Sequence, residues 1–261
     1  FGVPRVWEKM QAAIATKLNA ATGTKAILAR WALRTGRDWH SKALQGQEPG
    51  AWLGLQKRLA GKLVHHKVQR ALGFDQARIL LSGAAPIAVE NLQFFTSLDL
   101  LIGEVYGQSE DSGPTAISLP GFIRIGAAGK PLPGVQVRIA EDGEILVKGP
   151  NVFVGYRSRP EATAETLQDG WLHSGDLGRI DEDGFIYVTG RKKDLLITSG
   201  GKNISPGNIE ADLMNLPLVE HESLPMPLDA LPPPPLGQGQ HVLYVDDDEV
   251  MVEMVQRLLE H

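Results

Sequence analysis

Apolar residues recur at helical spacing along the first 73 residues of the chain. One set lies four positions apart, as on one face of a helix: Val6, Met10, Ile14 and Leu18. A second set continues the pattern between Ala51 and Gly73: Trp52, Leu55, Leu59, Leu63, Val64, Val68 and Leu72. Gly73 is typical of a residue that ends a helix. The pattern predicts a helical region over residues 1–73, in which His65 and His66 point in different directions and are both solvated.

The pattern changes after this region, because two continuous apolar runs end in small or polar residues. They are ARILLSGAAP (residues 77–86) and LLIGEVYGQSE (residues 100–110). Continuous apolar strands that end in such turns are typical of a parallel sheet covered by helices.

Residues 121–190 instead show alternating runs joined by Asp-Gly turns. In one of them, apolar and polar residues alternate before Glu141-Asp142-Gly143, and a returning strand is predicted over residues 144–148. A second ends before residues 181–184 (DEDG) and returns over residues 185–188. Asp-Gly between such runs is a strong hairpin signal. The predicted fold class is therefore α/β, with a parallel sheet and its helices leading into an antiparallel β subdomain.

The amino-acid composition limits the classes of function and partner that the chain can have. The net charge of −5 gives no basic excess that would indicate a nucleic-acid partner. The chain has no cysteine, which excludes disulfides, thiolate metal sites and cysteine nucleophiles and is compatible with a cytoplasmic location. No apolar run is long enough to predict a transmembrane segment. Because the first residue is Phe1, we expect the chain to be a piece of a longer protein.

The last part of the chain differs in composition and in its pattern of apolar residues. Residues 222–240 are rich in Pro and Gly and include four consecutive prolines, so we expect an extended linker. Residues 241–261 read as one strand, an acidic cluster and one amphipathic helix.

Four polar clusters fall near the ends of the predicted strands and hairpins. They are SGAAP (residues 82–86), Glu104 with YGQSE (residues 106–110), WLHSGD (residues 171–176) and GRKKDLLITSGGKNISP (residues 190–206). Each alone has a plain structural interpretation as a turn or a solvated loop. Their order and spacing together are specific.

These clusters, with FGVPRVWEKM at the start of the chain and NIE after residue 207, resemble the adenylate-forming (AMP-binding) superfamily. The likeness is strongest to long-chain fatty acyl-CoA ligases of the bubblegum type. It implies the C-terminal part of the AMP-binding large domain over residues 1–190 and the start of a small C-terminal lid domain over residues 191–221. The implied substrates are a fatty acid, ATP and CoA. The sequence leaves open whether the protein also touches a membrane surface peripherally.

The resemblance also implies a nucleotide pocket made of eleven residues: Ser82, Gly83, Ala84, Ala85, Pro86, Glu104, Tyr106, Gly107, Ser109, Asp176 and Arg191. Tyr106 would stack on adenine against the small SGAAP residues, and Gly107 would leave room for the nucleotide. Asp176 would accept hydrogen bonds from the ribose hydroxyls, with Arg191 as a second ribose contact.

The catalytic parts follow from the same resemblance. Glu110 would hold Mg²⁺ beside the phosphates, and Lys193 would be the hinge on which the lid domain swings. Gly200 and Gly201 would face the CoA tunnel. We expect His173 to be structural, because the carboxylate nucleophile of this chemistry needs no base.

Two parts of the family pattern do not occur in residues 1–261. There is no Ser/Thr/Gly-rich phosphate loop followed by lysine, and no lysine follows Lys202. The resemblance therefore implies an incomplete ligase, inactive alone, and we expect the isolated chain to be marginally stable or prone to aggregate.

The tail resembles the first strand and helix of a response-regulator receiver domain, in which Asp246 and Asp247 would bind Mg²⁺. This leaves two alternatives to the ligase. One is a signalling fusion in which the receiver is the working part. The other is an adenylating enzyme that does not use CoA as the acceptor. It would load a carrier protein, or oxidise the adenylate as luciferases do.

Overall fold

The computed structural model describes residues 1–194 and the short segments 196–197 and 203–204. The first 73 residues are helical, as predicted, and form four α-helices: α1 (Pro4–Asn19), α2 (Gly23–Leu44), α3 (Ala51–Ala60) and α4 (His66–Ala71). A π-helical turn, Gly61–His65, joins α3 to α4.

The core of this helical part is aromatic. Trp7 from α1 packs edge-on against Phe95, with ring centroids 5.4 Å apart. Ile14 is buried in the same cluster, and Met10 and Leu18 pack against it. The predicted apolar face of α1 is therefore the face that meets α5 (Val89–Ser97).

His65 is not solvated, so that prediction was wrong. Its side chain is fully buried, and Nε2 lies 3.0 Å from the carbonyl oxygen of Ala32 in α2. Burial lowers the pKa of His65, which favours the neutral imidazole. The cause is the π turn, which adds a residue to one turn and breaks the 3.6-residue spacing that the prediction assumed. His66 is exposed, as predicted.

A mixed four-stranded sheet follows, in the order β1-β2-β3-β4. Its strands are β1 (Leu80–Ser82), β2 (Ile102–Gln108), β3 (Gly113–Ile117) and β4 (Lys130–Pro131). Strands β1 and β2 run parallel, but β3 and β4 are antiparallel to their neighbours. The α/β class is confirmed, while the parallel pairing extends over one strand pair of the described residues. The chain reverses after β2 through a 3₁₀ turn, Ser109–Asp111, and a left-handed Ser112.

The second sheet is antiparallel. It contains β5 (Gln136–Ile139), β6 (Glu144–Lys148), β7 (Leu167–Gln168), β8 (Trp171–Ile180) and β9 (Ile186–Arg191), and the short α6 (Pro160–Thr166) precedes β7. Both predicted hairpins are present. Gly143 and Gly184 turn them with φ of 87° and 82°, values that favour glycine.

The last described elements are two paired strands, β10 (Leu196–Ile197) and β11 (Asn203–Ile204). The predictions for Gly200, Gly201, the linker at 222–240, and Asp246 and Asp247 in the receiver-like tail fall outside the described residues. Within the described part, no helix is both long and apolar enough to cross a bilayer.

Candidate functional site

Three of the predicted nucleotide residues meet in one hydrogen-bonded group. The hydroxyl of Tyr106, on β2, donates to Oδ2 of Asp176 at 3.0 Å. Nε of Arg191 donates to Oδ1 of the same carboxylate at 3.1 Å. Asp176 and Arg191 are direct register partners on β8 and β9, so the sheet itself holds them side by side. Tyr106 and Arg191 are therefore both in direct contact with Asp176, while the role of the three residues in binding a nucleotide stays a prediction.

Asp176 sits at the boundary between core and solvent. It is 7% exposed, whereas the Arg191 side chain is 57% exposed. Burial raises the pKa of Asp176, although Tyr106 and Arg191 both favour its ionised form. Burial, and then the nearby Asp176 charge, also raise the pKa of Tyr106, which keeps its hydroxyl protonated as a donor. Each carboxylate oxygen receives one of these bonds and keeps a further lone pair for a ligand.

A second carboxylate, Glu144, fixes the segment of β8 that carries Asp176. Its Oε1 accepts the backbone N–H of Gly175 at 2.8 Å. Its Oε2 lies 3.1 Å from both His173 Nδ1 and Lys192 Nζ. Lys192 also pairs with Asp142, at 2.6 Å. This network supports a structural role for His173.

Glu144 is only 4% exposed, and its environment suits an ionised group. Burial would raise the pKa of Glu144, but the bonds from Gly175, His173 and Lys192 outweigh it, so the pKa is lowered. Sequence reasoning missed Glu144 and Lys192. The available signal for Glu144 was an acidic residue at the start of a strand whose next three residues are apolar.

The SGAAP segment begins with Ser82, the last residue of β1, which is the register partner of Glu104 on β2. Ser82 is 1% exposed, and among the described residues its hydroxyl has no hydrogen-bond partner. Gly83 is buried, and an added β-carbon would lie 3.1 Å from both the Phe1 ring and the Val105 carbonyl oxygen. The turn is therefore tight, and residues 84–86 are exposed at its outer side.

Glu104 lies on β2 beside Ser82 and is largely shielded from water. Its Oε1 accepts the backbone N–H of Gly126 at 2.9 Å. Burial raises the pKa of Glu104 to about 7, and the single bond from Gly126 only partly opposes this. A protonated Glu104 can donate a hydrogen bond as well as accept one, which suits a neighbour of a nucleobase edge.

This raised pKa makes the stability of the fold depend on pH. The unfolded carboxyl ionises near 4.5, whereas the folded one keeps its proton until about 7. The folded state therefore binds more protons in this window, and the contribution of Glu104 to stability falls by about 3 kcal/mol as the pH rises through it. We expect Glu104→Gln to remove this loss of stability, which is measured from urea unfolding midpoints near pH 4.5 and at about pH 7. Glu90→Gln, at an exposed site, is the control, and an unchanged pH dependence in Glu104→Gln would contradict the assignment.

Glu110, the predicted metal ligand, has a different partner. Its Oε1 accepts the hydroxyl of Tyr156 at 2.7 Å, and its carbonyl oxygen accepts the N–H of Phe153 at 2.8 Å. Tyr156 was not predicted, because it lies 46 residues away in sequence. Glu110 is half-buried, while the neighbouring Ser109 is exposed.

The described residues contain no group of three or more His, Asp or Glu side chains that could hold a metal by themselves. A magnesium ion bound with a nucleotide needs only one or two protein carboxylates, because phosphate oxygens and waters complete its shell. Glu110 fits this requirement, since its Oε2 accepts no hydrogen bond from the described part of the chain.

Gly107 has a packing role that sequence reasoning did not anticipate. A β-carbon on this residue would lie 1.8 Å from the carbonyl oxygen of Gly113 on β3. Glycine is thus required by the close approach of β3, whatever room it also leaves for a ligand. Lys193 lies in an exposed 3₁₀ turn, Lys192–Asp194, directly after β9. Its position next to the anchored Arg191 and Lys192 is compatible with a hinge, which stays a prediction.

Comparison with known proteins places these features in a family. A profile of the AMP-binding enzyme family matches residues 1–157. The long-chain-fatty-acid–CoA ligase ACSBG2 of Xenopus laevis is 44% identical over 212 residues, which is 79% of this chain and 28% of that protein. The long-chain-fatty-acid–CoA ligase FadD15 of Mycobacterium tuberculosis is 42% identical over 217 residues, 83% of this chain and 36% of that protein. The chain thus spans about a third of the length of these relatives.

Solved structures agree on the fold. O-succinylbenzoate coenzyme A synthetase from Bacillus subtilis, unliganded, superposes with a TM-score of 0.51 and 33% identity over 58% of this chain and 37% of the synthetase. The same enzyme in complex with its acyl-adenylate intermediate superposes with a TM-score of 0.51 and 32% identity, over 58% of this chain and 35% of the synthetase. An ATP-bound RpMatB-BxBclM chimera superposes with a TM-score of 0.52 and 33% identity, over 59% of this chain and 34% of the chimera.

Proposed function

The chain belongs to the AMP-binding enzyme family, and on that premise we propose that it forms the AMP-gripping part of an ATP-dependent fatty acid–CoA ligase. In the proposed reaction the fatty acid carboxylate attacks the α-phosphorus of ATP, pyrophosphate leaves, and an acyl-adenylate forms. The thiol of CoA then attacks the acyl carbon, AMP leaves, and the thiol proton passes to water. Because the chain spans about a third of its relatives, this reaction is proposed for a longer protein that contains these residues.

The observation that carries the proposal is the Tyr106–Asp176–Arg191 group. A ribose presents two adjacent hydroxyl donors, and Asp176 presents two oxygens that each retain a lone pair. Arg191 is half-exposed, so it can hold the carboxylate and still reach a ligand oxygen. The Glu144 network holds this segment of β8 in place before the ligand arrives, which lowers the ordering cost of binding.

The other proposed contacts are set around this group. Tyr106 and the SGAAP turn would enclose the adenine, with Glu104 near its amino edge and Ser109 near the α-phosphate. Glu110 would hold Mg²⁺, which neutralises charge on the phosphates. Lys193 as hinge, Gly200 and Gly201 at the CoA tunnel, and a cytoplasmic setting belong to the same proposal.

Calorimetric titration of the 261-residue chain with a non-hydrolysable acyl-sulfamoyl adenosine tests the proposal. We expect saturable binding at a single site, and at least about tenfold weaker binding of the guanosine counterpart, which places a carbonyl where adenine has its amino group. Equal affinity for the two analogues, or heat from neither with a folded chain, would contradict it. A folded chain is verified beforehand by circular dichroism.

A further inference from the structure

The loop that follows β6 lies along the 3₁₀ turn that carries Glu110. The hydroxyl of Ser112 donates to the carbonyl oxygen of Asn151 at 2.7 Å, and Nδ2 of Asn151 donates to the carbonyl oxygen of Asp111 at 3.1 Å. The backbone N–H of Phe153 donates to the carbonyl oxygen of Glu110 at 2.8 Å. Three hydrogen bonds therefore fix the backbone of the turn against this loop.

A fourth hydrogen bond reaches the side chain of Glu110. Tyr156, in the same loop, donates its hydroxyl to Oε1 at 2.7 Å. This bond, and then burial, raise the pKa of Tyr156, so the hydroxyl keeps its proton and remains a donor. Oε2 accepts no hydrogen bond from the residues that the structure describes. The carboxylate is therefore held at one oxygen and open at the other.

Tyr156 is itself fixed by its neighbours. Its ring packs edge-on against Phe153, with ring centroids 4.8 Å apart. Its backbone N–H donates to the hydroxyl of Thr163 in α6 at 2.9 Å. Gly155, just before it, has a φ of 140°, and a β-carbon there would lie 2.6 Å from Cγ2 of Thr163. The loop thus approaches α6 closely, and the tyrosine hydroxyl is in place before any ligand binds.

We propose that Tyr156 is a positioning residue for the magnesium ion that accompanies the nucleotide, because it holds Oε1 of Glu110 and leaves Oε2 for the metal. The role rests on the proposed function, in which Glu110 is the metal ligand. Mg²⁺ demands near-ideal octahedral geometry, so the orientation of a carboxylate ligand matters. A carboxylate that is already held also loses less conformational freedom when the ion binds.

Binding of α,β-methylene ATP to the 261-residue chain tests this role. The analogue carries the phosphates but cannot be cleaved at the bond that the proposed reaction breaks. Its affinity is measured by calorimetry with excess Mg²⁺ and again with EDTA. We expect Tyr156→Phe to weaken binding of the Mg²⁺ complex by about tenfold, as is typical when the hydrogen-bonded partner of a metal ligand is removed. We expect the affinity without metal to stay close to that of wild type, whereas a purely structural role would weaken both.

Tyr187→Phe is the matched control. The Tyr187 hydroxyl also donates to a carboxylate, that of Asp181, at 3.1 Å, but Asp181 lies in a hairpin turn outside the predicted metal site. We expect this variant to change neither affinity. Tyr156→Phe keeps the ring that packs against Phe153, so its urea midpoint is expected to be close to that of wild type.

A double variant shows whether the tyrosine acts through the carboxylate. Glu110→Gln removes the proposed ligand and is expected to abolish most of the gain in affinity from Mg²⁺. Adding Tyr156→Phe to Glu110→Gln is expected to cause no further loss, because the two residues form one unit.

The metal-free titration with acyl-sulfamoyl adenosine separates this role from the proposed function. A folded wild type that does not bind that analogue would overturn both. If the wild type binds it, four results would overturn the role of Tyr156 alone. They are no effect of Mg²⁺ on the wild-type affinity for α,β-methylene ATP, equal losses with and without Mg²⁺ in Tyr156→Phe, the same loss in Tyr187→Phe, or a further loss in the double variant.

Discussion

Asp176→Ala is expected to weaken binding of the acyl-sulfamoyl adenosine analogue by about 100-fold or more. The wild-type carboxylate can accept both ribose hydroxyls, and hydrogen bonds to a charged group each contribute about 1.5–3 kcal/mol. The variant also leaves Tyr106 and Arg191 without the carboxylate that aligns them. Calorimetric titration of wild type and variant under the same conditions measures the ratio.

Two further variants make this result specific to Asp176. Asp38→Ala removes the same group from an exposed position on α2 and is expected to leave the affinity unchanged. Asp176→Asn keeps the shape but replaces one acceptor oxygen with a donor that faces other donors, so its loss should be nearly as large. An Asp176→Ala affinity within about threefold of wild type would show that the ribose is held elsewhere.

The sequence could predict this group because its residues lie in short motifs that resemble those of the AMP-binding family. Asp176 and Arg191 belong to two adjacent hairpin strands, and a hairpin with an Asp-Gly turn brings its ends together. Tyr106 follows an apolar strand in a similar way. Tyr106, however, lies 70 residues from Asp176, so short-range pairing does not join it to the other two, and the family resemblance of the motifs was needed to group all three.

The supporting residues could not be predicted, because distant segments create their contacts. Glu144 meets Lys192 across 48 residues, and Glu110 meets Tyr156 across 46. No local pattern encodes such pairs. His65 fails for another reason: a π turn changes the helical phase, and one inserted residue in a turn leaves no periodic signal in the sequence.

The sheet shows the same division between local and distant information. The apolar strands β1 and β2 were found from their composition, and their parallel pairing was predicted correctly. The antiparallel addition of β3 depends on a left-handed Ser112, a conformation that serine rarely adopts and that no turn signal announced. Element type was therefore easier to predict than strand direction.

Gly107→Ala is expected to lower the free energy of unfolding by about 3 kcal/mol or more. The new β-carbon would lie 1.8 Å from the Gly113 carbonyl oxygen and 2.8 Å from the Thr115 nitrogen. Both atoms belong to the backbone of β3, so relief requires the β2–β3 pairing to separate. Urea unfolding followed by circular dichroism, without any ligand, measures the change.

Gly54→Ala is the matched control for this substitution. Gly54 lies inside α3, and its β-carbon would meet the Trp39 ring at an ordinary 3.5 Å. Alanine has the higher helix propensity, so this variant is expected to gain about 0.5–1 kcal/mol. No nucleotide is present in the measurement. A large loss of unfolding free energy in Gly107→Ala, without one in Gly54→Ala, would therefore show that strand packing requires the glycine. A Gly107→Ala chain as stable as wild type would mean that β3 does not approach β2 at this point, and the glycine would then be free to serve only the ligand.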